Sequence, residues 1–533
     1  MSSDENERQT PESKQEGRFD SFIEPERPEE KKKRGKLKPR TLTMLIAIAA
    51  AVVLAVVLVL ITLLPHKGGY SGSVNESGAE TVYPLFDRTE DKDEAVVRNI
   101  RIDNTTGGYD IRYNEKSKAY ELVGYEDLTL SNNVDTLVEC ATVINASIKI
   151  DKVEALADFG LEKPQSTVTV TYYDGKTNVL LIGDKAPSTD GYYIRLKDSN
   201  DVYIGSKEAG DYFLAANWWY VSTTLMTAPS AREDDEGAGA LLRELKLTGK
   251  SHPTPLALRR STSDDPPELG YFKYVTTAPF YRGVNDGVGD KLYGFTSVYA
   301  ERAAILHPTA EQKEKYGFND PYAVAEVTLA VGSTNSDDEI IYYNNTKYRF
   351  TVGCVDTDKN YVVMVDGVNA IFTVSADTFK QVVDLQHETA TTALLFLKDI
   401  TSISRIDLTS EGKTHSFRLT HFPNEEEDDD QLTVTESGKQ YSTPDFRALY
   451  VLMMDLTRYA LIDQKPSGIP MLDIKIYNLD GSQAFSAAFY EGTGSLASAL
   501  TSDGETFSVP KSTITHLVKQ LGNYLAGKTV LEL

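Results

Sequence analysis

Thr41 to Leu64 reads TLTMLIAIAAAVVLAVVLVLITLL, a run with no charged residue, no proline and no glycine. At about 1.5 Å per residue a helix of this length reaches roughly 36 Å, enough to cross a hydrocarbon core of about 30 Å. A buried helix of a soluble domain carries a polar stripe, and this run has none. Its valines favour strand in water, but in lipid the backbone must satisfy its own hydrogen bonds, so a helix is expected. Lys31, Lys32, Lys33, Arg34, Lys36, Lys38 and Arg40 precede the run without an intervening acid, whereas Pro65, His66 and Lys67 and a Gly/Ser stretch follow it. The positive-inside rule then puts the N-terminus in the cytoplasm and the bulk of the chain outside the membrane. A cleaved signal peptide would have a shorter apolar core, about 7–15 residues, and no long polar leader. The expectation is therefore a single-pass protein. Residues 1–40 form a disordered cytoplasmic tail ending in the basic run, 41–64 the transmembrane helix and 65–94 a linker.

Charge bears on what the outer part can bind. The chain carries a net charge of -24, and residues 1–40 are nearly balanced, with 11 basic and 10 acidic side chains. The acid excess thus lies beyond the membrane span, where it disfavours nucleic acid and anionic headgroups and keeps a large domain soluble. Only two cysteines occur, Cys140 and Cys354, too few for a disulfide-stapled scaffold, and they read as lone buried thiols.

The outer region repeats itself. DFGLEKP (158–164) is followed by TVTVTYYDGKTNVLLIG (167–183), GYYIRL and DVYIGS; KYGFNDP (315–321) is followed by AEVTLAVGS, KYRFTVG (347–353), NYVVMV and NAIFTVS. A third, looser copy runs DIKIYNLDGSQAFSAAFYEG (473–492), then GETFSVP and a closing helix around Lys511–Leu525. Each copy is preceded by an alternating strand (NIRIDN, ELKLTG, RIDLTS) and one helical stretch, near Val134–Ile148, Lys291–Ile305 and Asp445–Leu461. Gly160 and Gly317 are expected past a helical turn in the left-handed conformation, with Pro164 and Pro321 forcing an extended exit toward strands that end at Gly183 and Gly353. The fold class expected is α+β: three related strand-rich units, 95–232, 233–398 and 399–533, each with mainly antiparallel sheet and one or two helices.

The stretch DFGLEKPQSTVTVTYYDGKTNVLLIGDKAPSTDGYYIRL, with KYGFNDP…FTVGCVDTDKNYVVMV as its echo, resembles the bacterial family called domain of unknown function 4340. The likeness covers Val153–Phe213 well and the second unit moderately. The third departs from it, because Lys465-Pro466-Ser467-Gly468 lacks the aromatic-Gly-apolar order. The resemblance implies a single-pass envelope protein, often encoded beside ABC-type transporter components, and it brings no catalytic residues.

No phosphate-binding glycine loop, paired-His zinc motif or nucleophile elbow is present in the sequence. His387-Glu388 opens like a metalloprotease helix, but no second histidine follows at the required spacing. His415 and His421 share a strand face without an identifiable third ligand. Asp356, Asp358 and Asn360 imitate half a calcium loop, yet Tyr361 replaces its glycine, so a hairpin turn is expected. Glu425 to Asp430, and Glu233 to Glu236, read as solvated acidic loops. Trp218, Trp219 and Tyr220 form the one dense aromatic cluster, suited to packing a domain end or to recognition. No catalytic, cofactor or metal residue is therefore assigned. The function expected is a non-enzymatic, membrane-integral, extracytoplasmic accessory or scaffold subunit with protein partners, such as ABC-type transporter subunits or an envelope assembly. The alternative is a binding module for cell-wall glycan or an exported solute, using an aromatic-lined cleft between units.

Overall fold

The computed structural model describes residues 82–89, 96–187, 189–235, 237–334, 340–422 and 431–531. The expected transmembrane run 41–64, the basic run before it and the acidic stretch 425–430 lie outside the described residues. Among the described residues no helix is long and apolar enough to cross a membrane. The chain from Val74 to Leu533 forms one compact unit.

The first sheet has nine strands: β1 (Tyr83–Asp87), β2 (Val97–Asn104), β3 (Gly107–Asn114), β4 (Ala119–Leu122), β5 (Val143–Lys149), β6 (Ser166–Tyr172), β7 (Thr177–Lys185), β8 (Gly191–Leu196) and β9 (Tyr203–Ser206). Their order is β1-β5-β9-β8-β7-β6-β2-β3-β4. Period-2 patterning explains the sheet: Val168, Val170 and Tyr172 of β6 are buried beside Ile100 and Ile102 of β2, while Thr167, Thr169 and Thr171 face the other side. Helices α1 (Asn133–Thr142) and α2 (Lys207–Leu214) supply Leu137, Ala141 and Phe213 to that core.

A two-stranded ribbon pairs β10 (Thr224–Met226) with β15 (Val298–Tyr299). The second large sheet contains β11 (Gly239–Gly249), β12 (His252–Arg260), β13 (Tyr274–Ala278), β14 (Arg282–Gly283), β16 (Arg302–Leu306), β17 (Ala323–Thr334), β18 (Ile340–Val355), β19 (Tyr361–Val365) and β20 (Ala370–Val374). The order is β14-β13-β12-β11-β17-β18-β19-β20-β16. Helices α3 (Asp286–Tyr293), α4 (Ala310–Lys315), α5 (Ala376–Val383) and the one-turn α6 (His387–Ala390) accompany it. The third sheet contains β21 (Ile403–Ser410), β22 (Lys413–Phe422), β23 (Gln431–Glu436), β24 (Lys439–Tyr441), β25 (Ala460–Leu461), β26 (Leu472–Asn478), β27 (Gln483–Glu491), β28 (Leu496–Thr501) and β29 (Thr506–Pro510), with helices α7 (Thr443–Met454) and α8 (Lys511–Leu525). Its order is β24-β23-β22-β21-β26-β27-β28-β29-β25.

All three sheets follow one path. An opening strand starts a meander to one edge, a helix carries the chain to the opposite end of the sheet (where β1 adds a further strand to the first), and a return strand pairs antiparallel with the opening strand. Two cores result. Buried residues of the first and second sheets form one continuous cluster, and the third sheet with α7 and α8 forms its own.

Several expected elements differ from those found. The stretch Val134–Ile148 is helical only to Thr142; then Ile144 and Ala146 point inward from a strand paired between β1 and β9. Likewise the second helix ends at Tyr293, before Gly294, and the third at Met454, each followed by edge-strand residues. Helical spacing at these ends was outweighed by a sheet edge that long-range pairing alone supplies. Tyr83–Asp87, expected as linker, is an edge strand on β5. Asp235, expected in a free acidic loop, accepts hydrogen bonds from Ser333 and Tyr343.

Candidate functional site

A cleft of about 350 Å³ opens where the second sheet meets the third. One wall is the loop between β12 and β13, which is held stiffly. Arg259 donates to both carboxylate oxygens of Asp265 (2.5 and 2.9 Å), the Thr262 N–H adds a third bond (2.8 Å), and the Tyr281 hydroxyl a fourth. These donors hold the Asp265 carboxyl well below the usual range, Arg259 contributing most. The loop thereby presents Pro266, Glu268, Leu269 and Phe272 to the cleft. Gly283 on β14 is required here, because a Cβ on it would run into the Phe272 ring.

The opposite wall comes from β27 and the β28–β29 turn: Ala484, Phe485, Ser502 and Asp503. The connector 392–398 runs between them. Its Phe396 ring sits 5.0 Å from Phe485 and 6.2 Å from Tyr450, whose hydroxyl donates to the Lys398 carbonyl (2.5 Å). The lining is mostly aromatic and aliphatic with a few charged groups, the usual make-up of a small-ligand site.

Behind the cleft lies a buried ion cluster joining the two sheets. Arg282 of β14 donates to Glu505 at 2.7 and 3.1 Å and lies 3.0 Å from Asp503. Arg458, from the loop after α7, donates to the other oxygen of Glu505 and to the Thr391 hydroxyl. The Glu505 side chain is 1% exposed. Burial alone would lift the Asp503 carboxyl, but Arg282 and the Thr501 hydroxyl outweigh it and hold it below the carboxylate range. His387 lies close enough to feel Arg458, Glu505 and Arg282; burial first, then Arg458, pushes it below the usual histidine range. At the rim, Lys398 lies 3.6 Å from Glu268.

Trp218, Trp219 and Tyr220 lie elsewhere, in a 3-10 turn at the junction of the first two sheets. Tyr220 is fully buried and its hydroxyl donates to the Tyr212 carbonyl. Trp218 packs against the shared core with Arg302 over its ring at 5.8 Å, and Trp219 is exposed. The glycine elements are structural. The N–H of Gly160 (φ +67°) donates to Ala157 and that of Leu161 to Leu156; Gly317 (φ +83°) and Phe318 do the same toward Glu314 and Lys313. Each turn lands on a glycine inside a strand, since β7 and β18 run two residues past the expected ends: a Cβ on Gly183 would meet the Phe159 carbonyl, and one on Gly353 the Tyr316 carbonyl. Pro164 and Pro321 then lead into β6 and β17.

Residues 121–234 match the family model described as Domain of unknown function (DUF4340). The likeness to this family is limited to that stretch. Comparison with curated proteins and with solved structures gives no match. The matched stretch contains the Gly160 and Gly183 turn and the Trp218–Tyr220 cluster, whereas the cleft residues all lie outside it.

The other residues singled out by sequence are accounted for locally. Asp356 accepts from the N–H groups of Asp358 and Asn360, capping a turn between β18 and β19. His415 and His421 share a face of β22; His415 lies 3.4 Å from Glu436, and His421 bonds the Ile403 carbonyl. Cys140 and Cys354 are free and half-buried rather than buried, and burial pushes the Cys140 thiol up to about 11. Sequence reasoning missed Arg282, Arg458 and Glu505 altogether. They are scattered singly through ordinary strand and loop patterns, and no spacing rule links them.

Proposed function

We propose that this chain is a membrane-anchored, non-enzymatic, extracytoplasmic binding module whose ligand site is the cleft between the second and third sheets. The observation that carries this reading is the cleft itself: a concave, largely apolar space with Glu268, Arg282, Lys398 and Asp503 at its edges. The apolar run 41–64 and its basic flank support an anchor with the N-terminus in the cytoplasm. A solute exported across the membrane suits the site better than a glycan, because Trp218 and Trp219 lie away from the cleft.

A second reading is an accessory or scaffold subunit of an ABC-type transporter or other envelope assembly. Exposed apolar side chains on the third unit favour it, notably Tyr459, Ile469 and Leu479. The two readings separate by site-specific photo-crosslinking of the anchored full-length protein in cells. A crosslinker at Phe485 should trap a ligand while one at Leu479 traps nothing. A transporter permease trapped at Leu479, with Phe485 silent, supports the scaffold reading; silence at both positions removes both.

A further inference from the structure

Resting on the binding reading above, we infer that the cleft takes an extended polypeptide segment, apolar with a basic side chain, that pairs its main chain with Phe396–Lys398. Three observations converge. First, the connector is half-satisfied. On one side it pairs like a strand: Leu395 N–H donates to the Leu456 carbonyl, and Arg458 N–H to that of Ala393. Beyond that, among the described residues, no group accepts from the N–H of Phe396, Leu397 or Lys398, although this half-buried stretch lines the cleft. Open main-chain groups along a cleft offer an edge to an added strand, which supplies donors and acceptors at the required repeat.

Second, alternate side chains of such a strand would meet Leu269, Phe272 and Phe485 on the two walls. Third, the charge shown to a ligand is negative. Arg282 is spent on Glu505 and Asp503, and its side chain is 15% exposed against 39% for Asp503. Lys398 is 13% exposed against 25% for Glu268. The cations are covered and the carboxylates face outward, which selects a lysine or arginine over an acid.

The test uses full-length protein in nanodiscs and a fluorescein-labelled octapeptide alternating leucine with lysine, read by fluorescence anisotropy. Saturable binding is expected, weakened about fivefold to tenfold more by Phe396→Pro than by Phe396→Ala, because residue 396 presents its N–H to the side away from Leu456 and the alanine variant accounts for loss of the ring. N-methylation of alternate peptide bonds should abolish binding. Exchanging lysine for glutamate should weaken it, and Glu268→Gln should cost about twofold to threefold for the lysine peptide only. A melting curve confirms that each variant is folded. Equal binding of the N-methylated peptide, or full competition by dodecylammonium at matched concentration, overturns main-chain pairing. No peptide binding, with a ligand still trapped at Phe485 in cells, overturns the peptide inference and leaves the binding reading standing. Absence of both overturns both.

Discussion

His387 is the residue whose titration should be visible in the whole protein. Its ring is buried, both nitrogens lack hydrogen-bond partners among the described residues, and Phe280 packs edge-on at 5.7 Å. Its folded pKa lies below the unfolded value, so the unfolded chain takes up the proton first as pH falls. The associated stability is full above the ordinary histidine range, near 6.5, and declines as pH drops through it. Melting temperature should therefore fall between pH 7 and about 5.5, and His387→Phe should flatten that slope. The lowered Asp265 and Asp503 carboxyls act separately: their contribution holds above about pH 4 and is lost below it. Glu505→Ala should cost about 3–5 kcal/mol in a denaturant titration, because Arg282 and Arg458 would be left buried with too little counter-charge. None of this was legible in the sequence. Glu505 sits in GETFSVP, an unremarkable turn-and-strand segment, and its partners are 223 and 47 residues away.

At the scale of elements, the glycine pairs allow a graded prediction. Gly183→Ala should cost about 1–3 kcal/mol, since the new methyl meets backbone, the Phe159 carbonyl, which cannot swing aside. Gly175→Ala, in the β6–β7 turn at φ +80° with open space around its Cβ, should cost only the left-handed penalty of about 1–2 kcal/mol. Chemical denaturation of both variants checks the ranking, and Gly353→Ala should behave like Gly183→Ala. These turns were readable because their chemistry is local: aromatic, glycine, apolar residue and proline within seven positions. The strands β5, β16 and β25 that follow the helices were not readable, since residues such as Val143–Lys149 take their conformation from β1 and β9.

For the whole molecule, the division of the core matters more than the number of sheets. The first two sheets share one buried cluster, joined near Tyr220, Met226 and Val298, whereas the third buries its own aromatic centre of Phe417, Phe446 and Tyr524. A fragment of residues 399–533 should melt cooperatively on its own, with near-ultraviolet circular dichroism of packed aromatics. Residues 95–232 alone should not, because they would expose the surface normally covered by the second sheet. The repeat made three strand-rich segments legible in advance, but no periodicity reports which neighbours fuse. The cleft stayed hidden for the same reason, being assembled from residues near 270, 396 and 503.

The shared strand path also sets a timetable for synthesis. In each sheet the opening strand finds its central partner far downstream: Ile100 pairs with Val170, Leu245 with Val327 and Ile406 with Ile476. At about 5–20 residues per second, each opening hairpin waits on the order of ten seconds for the strand that completes its sheet. Three times in one chain, a ribbon with a bare edge is therefore presented to its surroundings before it can close, and a holdase that shields strand edges would have most to do in those intervals.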